Sequence, residues 1–182
     1  MIAYAITDPS TLDFNYLLRD LERFSKKASM IVYRDKLGDK SDVNMKAVDF
    51  VEAAKGFAFE KVLVHGDYIL TNIAEADGVH LTSQQLDEIP AAKAKELFVV
   101  VSTHTIEELK KAEKLGADMA TFSPVFETPG KGVPLGVDVL KRMTSQVKIP
   151  ILALGGVVTE DQVAACERSG AIGFASIRYF AG

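Results

Sequence analysis

The segment ILALGGVVTEDQVAACERSGAIGFASI, residues 151–177, contains the unit from which the chain is built. It begins with a short apolar run, Ile151–Leu154, and ends with another, Ile172–Ile177. Between the two runs, Thr159 can cap a helix over Glu160–Ser169, and the glycine that follows can terminate this helix. The segment therefore predicts a strand, a helix and a second strand parallel to the first.

The same alternation of apolar, β-branched runs and helix-like spacers continues through the rest of the chain. The predicted strands are Ile2–Thr7, Met30–Tyr33, Lys61–Val64, Gly78–Leu81, Leu97–Ser102, Ala120–Val125, Ile151–Leu154 and Ile172–Ile177. The predicted helices are Phe14–Ala28, Val43–Phe57, Ile106–Leu115, Val137–Val147 and Glu160–Ser169, with weaker helical patterns at Asp67–Glu75 and Ser83–Glu96. Such alternation is typical of a parallel sheet.

Eight repeats favour closure of this sheet into a (β/α)8 TIM barrel, because closure leaves no exposed strand edge. The alternative is an open doubly wound sheet, which typically carries a glycine-rich loop after its first strand. Here Thr7-Asp8-Pro9-Ser10 follows instead. We therefore predict a compact single-domain TIM barrel over residues 1–182. Because typical barrels have about 250 residues, its helices should be short and its final turn cut back.

The composition is typical of a globular protein and gives no sign of nucleic-acid binding or membrane insertion. Apolar residues make up 48% of the 182 residues and the net charge is −4, which predicts a sizeable core and no nucleic-acid surface. No run of about 18 apolar residues and no basic leader is present, so neither a membrane span nor a signal peptide is expected. The single cysteine, Cys166, excludes a disulfide within the chain and fits a buried position in a cytoplasmic protein.

Polar residues concentrate where the predicted strands end, which in such barrels is where the chemistry lies. All three histidines of the chain, His65, His80 and His104, fall at these ends. Each of them alone is also compatible with a structural role. Together they indicate a site at the C-terminal mouth of the barrel.

Two cations on the second strand predict a phosphate site at this mouth. Arg34 and Lys36 lie two residues apart and share one face, so both project into the mouth if Val32 faces the interior. A glycine-rich loop, residues 127–136, adds Lys131 and lets the backbone approach a ligand closely. The alternatives are a surface salt bridge and an ordinary mobile loop.

A second phosphate site is predicted where the seventh and eighth strands end. Gly155 and Gly156 follow the seventh strand, and Arg178 follows the eighth. In TIM barrels, the backbone N–H groups at these two strand ends and a short helix N-terminus usually form a phosphate cup.

Five segments of the sequence, in the same order and over nearly the whole chain, resemble the thiamine phosphate synthase/TenI family. They are Tyr33-Arg34-Asp35-Lys36 (family Q-x-R-E-K), Ala76–Leu81 (A-D-G-V-H-L-G-Q-E-D), Val101–Thr105 (V-S-x-H-T), Ser123–Lys131 with Pro134-Leu135-Gly136 (G-P-V-F-x-T-x-T-K…P-L-G), and Leu154–Val157 (G-G-I turn).

The resemblance implies a TIM barrel in thiamine biosynthesis that acts on a small phosphorylated heterocycle. Synthases of this family join a pyrimidine diphosphate to a thiazole phosphate and release pyrophosphate, with Mg²⁺. By resemblance, the pyrophosphate contacts are Arg34, Lys36, Ser102 and Lys131. By resemblance, the thiazole phosphate is held by Thr128, Gly156 and the backbone at Ile177 and Arg178. A homo-oligomer is also implied.

The sequence departs from the family pattern at the positions that carry catalysis. Gly66 and Gln85 stand where synthases of the family carry carboxylates for Mg²⁺, a cation that prefers oxygen ligands. Asp67 is the one nearby replacement ligand. Val32 replaces the glutamine that contacts the pyrimidine. Pro124 stands where TenI proteins that tautomerise a thiazole carboxylate phosphate carry a histidine.

Three functions therefore remain open. The loss of the metal carboxylates favours a TenI-like, metal-independent acid–base enzyme acting on a thiazole phosphate, with His65 or His104 as the proton carrier. The retained phosphate contacts favour a divergent thiamine phosphate synthase, in which Mg²⁺ would be a cofactor. A third interpretation is a non-catalytic protein that binds a phosphorylated ligand.

Overall fold

Eight parallel strands close into a barrel in the computed structural model, which describes residues 1–182. They are β1 Ile2–Ile6, β2 Met30–Tyr33, β3 Lys61–His65, β4 Gly78–Leu81, β5 Phe98–Thr103, β6 Met119–Phe122, β7 Ile151–Leu154 and β8 Gly173–Ser176. Each strand pairs with its neighbour in chain order, and β8 pairs with β1 from Ile2–Gly173 to Ala5–Ser176. This pairing confirms the TIM barrel and excludes the open sheet.

Seven helices cover the outside of the barrel. They are α1 Leu17–Ser25, α2 Lys40–Ala54, α3 Tyr68–Ile73, α4 Ile89–Ala94, α5 Ile106–Leu115, α6 Val137–Gln146 and α7 Glu160–Arg168. The helices are short, as predicted, and a 3₁₀ turn, Arg178–Phe180, follows β8 within residues 1–182. None of the helices has the length and apolar character that crossing a membrane demands.

Local sequence explains where the best-defined helices begin and end. Thr159 and Gln162 form a reciprocal capping box at the start of α7, in which each side chain accepts from the other residue's backbone. Thr105 caps α5 by accepting from the N–H of Glu108, and Gly116 ends that helix in the left-handed conformation, with φ 92°. These caps fix the start of each helix directly after a strand-end loop.

The alternation of side chains along the strands produces two apolar layers. The larger layer lies between the strands and the helices, and Cys166 is fully buried there, as predicted. Burial raises the pKa of its thiol to about 11, so it remains protonated. The barrel interior is filled by Tyr4, Ile6, Met30, Val32, Leu63, Val100, Leu152 and Ala175.

Candidate active site

A polar cavity of about 660 Å³ opens at the C-terminal ends of the strands. Every strand or the loop that follows it contributes to the lining, which a closed barrel makes possible because all eight strand ends meet at one rim. The lining residues are Ile6, Arg34, Lys36, His65, His80, Thr82, Ser83, Gln84, Ser102, His104, Ser123, Pro124, Thr128, Lys131, Leu154, Gly155 and Ile177.

One side of the cavity carries three cations without anionic partners. Val32 lies in the barrel interior, so Arg34 and Lys36 project into the mouth, where Lys131 approaches from the β6–α6 loop. None of the three takes part in a salt bridge of the chain. Burial, then Arg34 and then Lys131 lower the pKa of Lys36. Asp8 offsets part of the charge of Arg34. This side of the cavity still carries a net positive charge, which suits a polyanion.

The imidazole of His65, at the end of β3, borders these cations. Burial, followed by the positive charges of Arg34 and Lys36, lowers its pKa to about 4. His65 is therefore neutral at pH 7 in the ligand-free chain. A neutral imidazole of such low pKa is a poor general acid, because efficient proton donors have pKa values near the working pH.

His104, the second predicted proton carrier, lies on the exposed rim of the same cavity. Its Nδ1 is 3.0 Å from the carbonyl oxygen of Ser123. Because a carbonyl only accepts, Nδ1 donates in this contact, and Nε2 takes no part in it. The structure thus brings both predicted proton carriers to the cavity, on different strands.

A chain of hydrogen-bonding side chains leads from the barrel interior to the cavity. The hydroxyl of Tyr4 lies 2.9 Å from His80 Nδ1, and His80 Nε2 lies 2.9 Å from the hydroxyl of Ser102. Tyr4 and His80 are buried, whereas Ser102 is half-buried and lines the cavity. Burial, with the nearby charges of His65, Arg34 and Lys36, lowers the pKa of His80, so its ring is neutral.

The other side of the cavity is built by the glycine turn after β7 and the loop before α6. Gly156 has φ 67°, and a Cβ at this position would stand 2.3 Å from the carbonyl oxygen of Glu127. The N–H of Phe126 donates to the carbonyl of Gly155, and the N–H of Leu135 donates to that of Pro124. The start of the loop is thereby fixed to the turn, and its far end is hydrogen-bonded back to its own start. Thr128 and Lys131 lie between these two points and line the cavity.

Four backbone N–H groups on this side donate to no acceptor in the chain. They belong to Gly155, Gly156, Ile177 and Arg178. All four lie at the ends of β7 and β8, where the sequence predicts a phosphate cup. Free N–H groups at this rim are donors available to an anionic oxygen.

The two positions where the family resemblance implies metal carboxylates are joined to each other instead. The side-chain amide of Gln85 donates to the carbonyl of Gly66 over 2.7 Å, while its oxygen accepts from the N–H of Thr82. Asp67 caps α3 by accepting from the N–H of Leu70, and it does not line the cavity. No three His, Cys, Asp or Glu side chains cluster as metal ligands. These residues therefore do not fit a protein-held Mg²⁺.

A larger groove, about 730 Å³, lies outside the barrel beside the loop after β1. Its two arginines, Arg19 and Arg23, are both paired with Asp20. Arg23 also donates to the carbonyls of Thr11 and Phe180. Because these cations are already engaged in holding the fold, the mouth of the barrel is the better candidate site.

Comparison with known proteins agrees with this architecture. Residues 3–180 match the family model described as thiamine monophosphate synthase. The chain belongs to this family. A protein of Aquifex aeolicus provisionally named thiamine-phosphate synthase 2 is 35% identical, over 97% of this chain and 96% of the relative.

Two further members are similar over most of their length. The thiamine-phosphate synthase of Syntrophomonas wolfei is 29% identical, over 96% of this chain and 85% of that protein. The solved thiamine phosphate pyrophosphorylase of Pyrococcus furiosus superposes with a TM-score of 0.82 at 26% identity, over 97% of this chain and 85% of that chain. The resemblance seen in the sequence motifs is thus confirmed, and the names of these relatives fit the synthase interpretation better than the tautomerase one.

Within this thiamine monophosphate synthase fold, most of the predicted site residues meet in one cavity. Those that line it are Arg34, Lys36, His65, Ser102, His104, Thr128, Lys131, Gly155 and Ile177. Gly156 and Arg178 do not line it, although each directly follows a residue that does, Gly155 and Ile177. His80, Ser123 and Pro124 also line the cavity, although the sequence predictions gave none of them a catalytic or binding role. The position of each at a strand end was the available signal.

Proposed function

We propose that this chain catalyses the thiamine-phosphate synthase reaction. In this reaction the bond between the pyrimidine methylene and the diphosphate breaks, the pyrophosphate leaves with the electron pair, and the methylene forms a bond to the ring of the thiazole phosphate. The names of the relatives support this assignment at the level of the family.

The observation that carries the proposal is the unpaired cation cluster of Arg34, Lys36 and Lys131. Negative charge accumulates on the pyrophosphate as its bond to the methylene breaks. Fixed cations directed at the developing charge stabilise such a transition state more than the ground state. A cluster of three cations exceeds what one monophosphate requires.

The second anion site lies across the cavity, at the free N–H groups of Gly155, Gly156, Ile177 and Arg178. We assign the phosphate of the thiazole to this cup, with Thr128 beside it. Two separate anion sites fit a reaction between two phosphorylated substrates. A tautomerase that acts on one thiazole carboxylate phosphate has no need for a three-cation cluster in addition to the cup.

The protonation states also favour substitution over acid–base chemistry. The sequence favoured a metal-independent, tautomerase-like enzyme with His65 or His104 as proton carrier. That role requires a group that exchanges protons near pH 7, whereas the pKa of His65 lies at about 4. Departure of pyrophosphate requires no proton on the leaving group when cations neutralise its charge.

Because the residues at Gly66, Asp67 and Gln85 do not fit a protein-held metal, the protein's share of charge stabilisation falls on the cations. Arg34 is half-buried directly after β2, which limits its movement when the charge develops, and this is the condition for electrostatic preorganisation. Lys131 adds its charge from the β6–α6 loop, where its side chain is exposed.

A binding experiment tests the two-site arrangement directly. Titration calorimetry should show one inorganic pyrophosphate bound per chain, and thiazole phosphate should still bind when pyrophosphate is saturating. Lys36→Ala should weaken pyrophosphate binding without changing the affinity for thiazole phosphate. Competition between the two ligands for one site would contradict the proposal.

A further inference from the structure

The interior chain Tyr4–His80–Ser102 is not used by the chemistry proposed above, yet it ends at the cavity. Its three members come from β1, β4 and β5, and two hydrogen bonds of 2.9 Å connect them. Burying a polar group in a barrel core costs free energy unless the group is hydrogen-bonded. The residue that donates each of these two hydrogen bonds therefore matters.

Tyr4, the buried end of this hydrogen-bonded series, determines in which direction each of the hydrogen bonds is donated. The hydroxyl of Tyr4 is inaccessible to solvent, and His80 Nδ1 is its one partner. If Nδ1 carried the proton, the Tyr4 hydroxyl would accept and its own proton would be buried without an acceptor. The arrangement with every donor satisfied has the Tyr4 hydroxyl donating to Nδ1.

The neutral ring of His80 then carries its single proton on Nε2. Nε2–H donates to the hydroxyl oxygen of Ser102, so the proton of Ser102 cannot point back to the ring. Ser102 lines the same cavity as Lys36 and Lys131, and its O–H is left free to donate into that space.

We propose that Tyr4 and His80 are positioning residues that hold Ser102 as a permanent hydrogen-bond donor to the phosphate oxygens bound by the cation cluster. No proton is transferred along these hydrogen bonds. The hydrogen bond from Tyr4 sets the tautomer of His80, and this tautomer determines the direction in which the Ser102 hydroxyl donates. The identity of the anion rests on the proposed function; the tautomer of His80 does not.

The tautomer is measured directly by ¹⁵N NMR of the histidine rings in the ligand-free protein at pH 7. His80 should show a protonated nitrogen at Nε2 and an unprotonated one at Nδ1. Tyr4→Phe removes the donor to Nδ1 and should shift the ring toward a mixture of tautomers. Protonation at Nδ1 in the wild-type chain would overturn the inference, whatever the protein's activity.

Tyr33→Phe is the matched control. It removes another buried tyrosine hydroxyl, which has no hydrogen-bond partner. This hydroxyl is not hydrogen-bonded to Tyr4, His80 or Ser102. It should leave the His80 signals in place. A change of equal size in both variants would show general loosening of the core and would overturn the positioning role.

Inorganic pyrophosphate binding provides the functional readout. Ser102→Ala should weaken it roughly tenfold, the lower range for a hydrogen bond to a charged group. Tyr4→Phe should cause most of the same loss, and Tyr4→Phe in the Ser102→Ala background should add little. Additive losses would overturn the proposal. If wild-type protein binds no pyrophosphate, the proposed function fails, and the tautomer measurement still decides this inference.

Discussion

Gln85 Nε2 donates a hydrogen bond of 2.7 Å to the carbonyl oxygen of Gly66, and the same side chain accepts from the N–H of Thr82. A neutral amide thus joins the turn after β3 to the loop after β4. These are the two positions at which the family resemblance implies carboxylates for Mg²⁺. At the two positions where the resemblance implies metal ligands, this chain has a structural link.

Gln85→Glu tests this link. The carboxylate can no longer donate to the Gly66 carbonyl and would face it, which should lower the free energy of unfolding at pH 7 by about 1–3 kcal/mol. The pKa of the new carboxyl should be raised, so the loss should shrink as the pH falls to about 4, where the protonated group can donate again. Chemical denaturation at several pH values measures this. Gln146→Glu, at an exposed position outside the cavity, should change little; an equal effect there would contradict the interpretation.

Lys36→Met should change stability and binding in opposite directions. In the ligand-free chain Lys36 is repelled by Arg34 and Lys131, so its removal should raise the free energy of unfolding slightly, by at most about 1 kcal/mol at low salt. The same change should weaken pyrophosphate binding by tenfold or more, because a charge-assisted contact is lost. Lys55→Met, at an exposed lysine on the outside of the barrel, is the control. Unchanged pyrophosphate affinity in Lys36→Met would remove this residue from the site.

His65 should make the protein less stable in mild acid. Its pKa of about 4 in the folded chain is below the ordinary value of 6.5, so the unfolded chain binds the proton first. Stability is therefore complete above about pH 6.5 and falls as the pH drops toward 4, by at most about 3 kcal/mol from this group. His65→Gln should lose less stability over the same range. An identical pH dependence in the two proteins would show that the pKa is not lowered.

Pyrophosphate should also change the titration of His65. Its negative charge offsets Arg34 and Lys36, two of the causes that lower this pKa. NMR titration of the ring should therefore show a higher pKa in the complex than in the free protein. No change at saturating pyrophosphate would mean that the anion does not bind beside these residues.

Gly156→Ala should disrupt the side of the cavity that holds the thiazole phosphate. A Cβ here would collide with the backbone of Glu127, in addition to the cost of the left-handed backbone. We expect about 2–4 kcal/mol less stability and weaker binding of thiazole phosphate. Gly132→Ala, which is also left-handed but has open space around it, separates the two effects. Equal losses in both variants would show that the contact with the loop is not essential.

The barrel itself could be predicted because the sequence features that define it, apolar runs and helix caps, each lie within a short stretch of sequence. The eight apolar runs are all strands, and the caps at Thr105 and Thr159 lie where the sequence places them. The errors are at element ends. β6 ends at Phe122, not at Val125 as predicted, because Pro124 has no N–H to donate to the sheet. Phe14–Ala28 contains a 3₁₀ turn followed by the shorter α1.

The connections inside the site could not be predicted in the same way. Tyr4 and His80 are 76 positions apart, and their contact depends on how the closed barrel brings β1 and β4 across the interior. The link between Gln85 and Gly66 likewise depends on the relative heights of two loops. The projection of Arg34 and Lys36 into the mouth was predictable, because the period of two along a strand determines it.

Formation of thiamine phosphate tests the central claim most directly. The purified protein is mixed with thiazole phosphate, pyrimidine diphosphate and Mg²⁺, and the product is converted to its fluorescent thiochrome. The account predicts product with the wild-type chain and a loss of at least tenfold in kcat/KM for Lys131→Ala, with Lys55→Ala unchanged. No product at protein concentrations comparable to those of the substrates would contradict the synthase assignment.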